Sequence, residues 1–226
     1  MELYYFLSSE HALQAFENQE LKVSRFDQLN DPFELMAGGS GERMVRNSIR
    51  RYKQSMTKKT RLLCCSKSWG DPLLWSHYGD KHKGVALVIQ IPQDYVIDVE
   101  YTSERIQISE SQFISALGKD DTDTDTYGKI FLKTKFKGWS YEDEARILFD
   151  KNETYEKNDL DFFKLTSSVR LSGIVLGPLC DLENSAVESV LPKGTSAEVV
   201  STRLGFKRYE VVKNKGRPPV IVTSSK

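Results

Sequence analysis

The chain has 226 residues, long for one domain and short for two, so a single domain with elaborations is expected. A hydrophobic share of 39% with 11% aromatic residues excludes a disordered chain, and 28% charged residues favour a soluble one. Thirty-two basic residues balance 32 acidic ones, so net charge announces no polyanion binder. The three cysteines form no C-x-x-C pair, which excludes a zinc ribbon or a thioredoxin-type site.

The aromatic-rich run 3–7 predicts a strand, and Ser8 or Ser9 caps a short helix through Phe16. The start lacks the basic region of a signal peptide, and the longest apolar stretch, 85–91, is too short to span a bilayer, so a cytoplasmic protein without a membrane partner is expected. Residues 21–24 predict a second short strand. The loop beyond it holds Asn30-Asp31-Pro32-Phe33-Glu34, which has the residues of an Asx-type turn, and then Gly38-Gly39-Ser40-Gly41. The glycine run lacks the Gly-Lys-Ser/Thr ending of a P-loop and reads as a flexible linker. From Arg43 to Arg61 the chain is almost purely basic, with Met44, Ile49 and Tyr52 at helical spacing; residues 203–217 are basic as well.

Further strands are expected at 62–66, 85–91, 95–101, 142–149, 171–177, near 197–201 and over 208–213. Helices are expected at 73–78, 109–118 and 181–191, an exposed loop at 119–126, and a flexible tail over 214–226 after a domain spanning 1–213. The aspartates of 120–125 form no calcium loop: counted from Asp121, the glycine position is Thr126 and the bidentate position is Leu132. Strands and helices alternate too irregularly for a doubly wound sheet, which leaves an α+β fold.

Two motifs carry chemistry. In Tyr141-Glu142-Asp143-Glu144-Ala145-Arg146, strand alternation would put Glu142, Glu144 and Arg146 on one face, where paired carboxylates raise each other's pKa and Arg146 holds one ionised. A solvent-facing charged edge is the competing reading. In Trp75-Ser76-His77-Tyr78-Gly79-Asp80, Trp75 and Tyr78 stand about one helical turn apart and can stack on a planar heterocycle, or else form a buried core. Ser76, His77 and Asp80 are too close in sequence for a hydrolase triad, and His77 and His82 lack partners at metal spacing, so no metal is expected.

Four segments together resemble a bacterial and phage family of unknown function often found near defence or mobile elements. They are Leu3-Tyr4-Tyr5-Phe6, Leu29 to Glu34, Cys65-Ser66 leading to the Trp75–Asp80 motif with His82-Lys83-Gly84, and Tyr141 to Arg146. The layout is similar to ADP-ribosyltransferase-like domains, and the resemblance implies a split mixed and antiparallel β core flanked by helices. It further implies a toxin or phage-defence enzyme that takes NAD as its substrate. In that reading Glu144 contacts the nicotinamide ribose, Glu142 orients or deprotonates the acceptor, and Arg146 completes the catalytic set. Trp75 and Tyr78 stack on NAD, Tyr5 and Ser66 hold the ribose and carboxamide, and Asn30 joins the cofactor contacts. Tyr5 stands where relatives often carry His. Arg46, Arg50 and Lys53 would guide a nucleic-acid acceptor, and an antitoxin or immunity partner is expected. The alternative is a non-catalytic module that binds a nucleotide or nucleic acid in a defence complex; NAD consumption against NAD-free binding separates the two.

Overall fold

The computed structural model describes residues 1–109, 111 and 122–226. Strand β1 (Glu2–Leu7) leads into helix α1 (Ser9–Asn18), whose N-cap Ser8 accepts the His11 N–H and whose last turn is closed by Gln19 at a φ of 51°. The chain continues through β2 (Glu20–Val23), the short β3 (Gly38–Gly39), α2 (Arg43–Lys59) and β4 (Thr60–Ser66). Helix α3 (Pro72–His77) begins where Asp71 accepts the Leu73 N–H at 2.8 Å, with Pro72 in the first turn where a missing N–H costs nothing. Then come β5 (Val85–Gln90), β6 (Val96–Asp98), β7 (Glu100–Thr102), β8 (Ile106–Gln107), α4 (Thr122–Lys133), β9 (Thr134–Phe136) and β10 (Glu144–Asp150). The last elements are β11 (Thr154–Lys157), β12 (Leu160–Lys164), β13 (Arg170–Leu176), α5 (Asn184–Val190), β14 (Ser196–Leu204), β15 (Val211–Lys213) and β16 (Val220–Thr223).

The main sheet runs β15-β14-β13-β5-β1-β4-β10-β6, with β16 also on β14. Only β13 and β14 pair in parallel there, joined through α5; the other neighbours are antiparallel. Strand β5 reads Val-Ala-Leu-Val-Ile because both of its faces are covered. On one face Leu3, Leu63, Leu87, Ala145 and Ile174 pack against Ala12 and Phe16 of α1 and Val187 of α5. On the other, Trp75 of α3 covers Ala86, Val88 and Val175, while Val45 and Ile49 of α2 and Phe131 of α4 cover Leu62. A second sheet, β11-β12-β2, lies beside them. Among the described residues no helix is long and apolar enough to cross a membrane. The fold is thus mixed helix and sheet, with a mixed, mainly antiparallel main sheet.

Several expectations change. The glycine run is no linker: Gly38 and Gly39 are buried and pair with Ile106 and Gln107, and a Cβ on Gly38 would lie 2.8 Å from Ile108 and Phe131. The tail over 214–226 is not loose, because β16 pairs with β14 and puts Val222 in the core. The strand expected from 142 starts at Glu144, since Glu142 ends a 3-10 turn (Lys137–Glu142) and Asp143 turns the chain at a φ of 42°. The strand expected at 95–101 breaks into β6 and β7, which serve different partners. Residues 122–126, expected as loop, open α4. The helix expected at 109–118 falls outside the described residues except at 109 and 111, as do 119–121.

Trp75 is fully buried, with its indole N–H donating to the Trp69 carbonyl at 2.7 Å and its ring meeting Phe6 edge-on at 4.9 Å. Trp75→Ala should therefore cost about 3–5 kcal/mol of stability, as large buried aromatic truncations do. Urea denaturation of the variant measures it, and a loss below about 1 kcal/mol would show that α3 collapses onto the sheet without strain.

Candidate functional site

The main sheet opens between two of its central strands. Strand β1 pairs with β5 from Glu2↔Gln90 through Leu7↔Val85, yet it meets β4 at Tyr4↔Ser66, their one register pair among the described residues. Beyond that pair the strands part, and a cavity of about 310 Å³ occupies the opening. Tyr4, Tyr5 and Phe6 line it from β1, Leu62 to Ser66 from β4, and Gln28, Asn30 and Asp31 from the loop after β2. Tyr78, Lys135, Trp139, Glu142 and Glu144 close the far wall.

Register decides which groups meet. Ser66 stands opposite Tyr4 on one side and Glu144 on the other, so Tyr4, Ser66 and Glu144 form a row on one face across three strands. Arg146, two residues on, shares that face. Its guanidinium is fully buried: Nε donates to Glu144 Oε1 at 2.8 Å, while Nη1 donates to Glu34 Oε1 at 2.6 Å and to the Leu132 carbonyl at 2.8 Å. Lys135 bridges the two carboxylates, donating to Glu144 Oε2 at 2.7 Å and to Glu142 Oε2. The Tyr78 hydroxyl donates to Glu142 Oε1 at 2.6 Å. The Tyr101 hydroxyl accepts the Glu144 N–H at 2.8 Å. Outside this cluster, exposed His77 meets the Tyr141 hydroxyl at 2.8 Å.

The environment drives the two carboxylates apart. Burial raises the Glu144 pKa, but the charges of Arg146 and Lys135 overcome it and hold the group at about 2. Burial dominates at Glu142 and raises its pKa despite Lys135 and Tyr78, with the charge of Glu144 adding to the rise. Tyr78 is raised by burial and by the Glu142 carboxylate it faces, and Tyr101 is pushed up to about 12 by burial. Burial likewise raises the Cys64 and Cys65 thiols, so neither is a ready nucleophile. A fixed anion next to a carboxyl poised to hold a proton is an arrangement suited to acid–base work.

The structure gathers most of the residues singled out by sequence. Asn30, Ser66, Tyr78, Glu142 and Glu144 line one cavity, with Arg146 directly behind Glu144. Glu142 reaches the cluster from the 3-10 turn rather than from the strand, and Lys135 joins it to Glu144. Tyr5 lines the cavity too, but alternation puts it on the face opposite Ser66 and Glu144, where its hydroxyl donates to the Lys22 carbonyl at 3.3 Å. Tyr4, not Tyr5, stands beside Ser66 and Glu144 on that face. Trp75 does not reach the cavity and cannot stack on a ligand there, because its ring fills the core beneath α3.

The basic triad of α2 lies apart from the cavity. Arg46 is tied to the Ser40 and Gly41 carbonyls, and Lys53 reaches the Pro32 carbonyl at 3.5 Å. Exposed Arg50 and half-buried Lys53 border a shallow hollow of about 580 Å³ with Arg25, Lys58 and Lys151 and with the acids Asp27 and Glu156. Glu34, Lys135, Trp139 and Tyr4 were missed. Glu34 sits in the Asn30–Glu34 motif, where the turn chemistry drew attention to Asp31, which does accept the Phe33 N–H at 2.9 Å. Lys135 comes from a Lys-Thr-Lys-Phe-Lys run with nothing to set it apart.

These features define a mixed α/β domain with a buried acidic–basic cluster at the mouth of a split sheet. Residues 74–147 are similar to the family described as "Protein of unknown function (DUF2971)". The match covers about a third of the chain and contains Tyr78, Lys135, Glu142, Glu144 and Arg146, while β1, Asn30, Glu34 and Ser66 lie before it. No curated protein and no solved structure matches the chain.

Removing Arg146 would leave Glu34 and Glu144 buried without their shared cation. Arg146→Leu should cost about 3–5 kcal/mol in urea denaturation, as breaking one side of a buried ion network does. A fall of less than about 1 kcal/mol would place the network outside the stabilising core. Glu144 also has a pH signature. Its folded pKa lies below the ordinary value of 4.5, so its stabilising contribution is complete above that value and fades as pH falls toward about 2. The urea midpoint of the wild type should exceed that of Glu144→Gln at pH ~6, and the gap should narrow at pH ~3. A gap independent of pH would contradict the ionised assignment.

Proposed function

We propose that this chain is an ADP-ribosyltransferase-like enzyme that takes NAD in the split between β1 and β4. The observation that carries the reading is the convergence of Asn30, Ser66, Tyr78, Glu142 and Glu144 on one cavity. Tyr78 offers a ring at the wall, with its hydroxyl fixed on Glu142, and Ser66 and Asn30 offer small polar groups for a ribose or a carboxamide.

In this reading the bond from the ribose to the nicotinamide nitrogen breaks, and its electron pair leaves with the neutral nicotinamide. Positive charge develops on the ribose carbon and ring oxygen, opposite the permanently ionised Glu144. Glu142, whose proton affinity is raised, takes the proton of the attacking acceptor group as the new bond forms. Lys135 would have to loosen its hold on Glu144 for the carboxylate to face the ribose, and it is placed to stay on Glu142 as it does so. The hollow beside α2, with Arg25, Arg50, Lys53 and Lys58, supports a polyanionic acceptor such as nucleic acid. The setting proposed is a toxin or phage-defence effector.

One observation favours the second reading, a non-catalytic nucleotide-binding module. Both oxygens of Glu144 already accept hydrogen bonds from Lys135 and Arg146, as those of a purely structural carboxylate would. Release of nicotinamide from NAD by the purified protein separates the two. Glu144→Gln should lower turnover by about 100-fold or more while NAD still binds, as loss of a charge-stabilising group does. Tyr78→Phe should retain more activity than Tyr78→Ala, whose Michaelis constant for NAD should rise. Binding of NAD without any nicotinamide release, unchanged by Glu144→Gln, would leave the binding module standing.

A further inference from the structure

We propose that the tip of the β14–β15 hairpin is a docking surface for single-stranded nucleic acid, separate from the cavity. Two aromatic rings stand there in solvent: Phe206 is 88% exposed and Tyr209 101% exposed. The Arg203 guanidinium lies 3.9 Å from the centre of the Phe206 ring, and it is held there by a 2.8 Å bond from its Nη1 to the Leu204 carbonyl. Lys207 and Arg208 sit exposed between the rings. From Arg203 to Arg217 the chain carries Lys207, Arg208, Lys213 and Lys215 as well, against the single acid Glu210.

The tip is built to hold its shape. The Gly205 N–H donates to the Glu210 carbonyl at 2.8 Å, and a Cβ at Gly205 would press on the Arg208 carbonyl at 2.8 Å. The Val211 N–H donates to the Gly70 carbonyl at 2.8 Å, which ties the hairpin to the turn between Ser66 and α3. Flat exposed rings alternating with cations match successive bases and the phosphates that join them. A membrane surface fits less well, because inserting both rings would carry Lys207 and Arg208 at the apex into the apolar layer. Lys207 and Arg208 stand exposed at the tip, whereas Arg46 of α2 spends its guanidinium on backbone carbonyls.

The test is fluorescence anisotropy of a labelled oligothymidylate with the full chain, in the absence of NAD, so that its outcome does not depend on the transferase reading. The wild type should bind the single strand more tightly than the matching duplex. Phe206→Leu and Tyr209→Leu should each weaken binding about tenfold, whereas Phe206→Trp should keep it, since a ring and not mere apolar bulk is needed. Lys207→Ala with Arg208→Ala should flatten the salt dependence by roughly 0.7 for each phosphate that is no longer neutralised. Thermal melts should stay unchanged, because these side chains are exposed. No binding by the wild type, or equal binding by the leucine variants, would overturn the proposal. So would sedimentation with phosphatidylcholine–phosphatidylserine vesicles in place of oligonucleotide binding, which would reassign the tip to a lipid surface.

Discussion

The site and the fold around it depend on one buried guanidinium. Arg146 is cut off from water, and a charge so placed is tolerated only when its donors are matched. Its partners come from three stretches of chain: Glu34 after β2, the Leu132 carbonyl near the end of α4, and Glu144 beside it on β10. Satisfying it therefore fixes where the N-terminal loop and α4 lie over the sheet. Lys135, just past α4, extends the network to Glu142 and so settles the turn that precedes β10.

This cluster lies next to a sheet that fails to close. Full pairing of β1 with β5, and of β4 with β10, leaves β1 and β4 joined, among the described residues, only near Ser66. The opening admits side chains from both faces, which is why Tyr4 and Tyr5 can line the same cavity although they alternate. Polar groups at its rim then face a small space walled by aromatic rings. Charged groups held rigidly around such a space act with little reorganisation, the condition under which electrostatic catalysis is strongest.

Much of this was legible from local pattern. The Glu-x-Glu-x-Arg spacing and the Tyr78 motif pointed to the cavity, and apolar runs located β1, β4, β5, β13 and α1. Short strands such as β11 and β12 were missed, because the inward residues of β12 are Phe163 and Asp161, the latter buried against Arg61, so no apolar alternation marks it. The tail was misjudged for a related reason. Val220 and Ile221 are exposed, and only Val222 enters the core, so its strand owes its order to the edge of β14 and not to its own sequence.

The sequence by itself determined the elements whose stability is local: the cap at Ser8, the apolar strands, and carboxylates close enough in the chain to interact. Tertiary structure decided what those elements mean. Trp75 and Tyr78 share one motif, yet one ring fills the core and the other faces the cavity, because α3 lies with a single side against the sheet. Glu34 and Lys135 lie 112 and 11 residues from Arg146 along the chain, and no periodicity links them. Burial of charge brought them together, since an ion taken out of water must find its counter-ions wherever the fold can supply them.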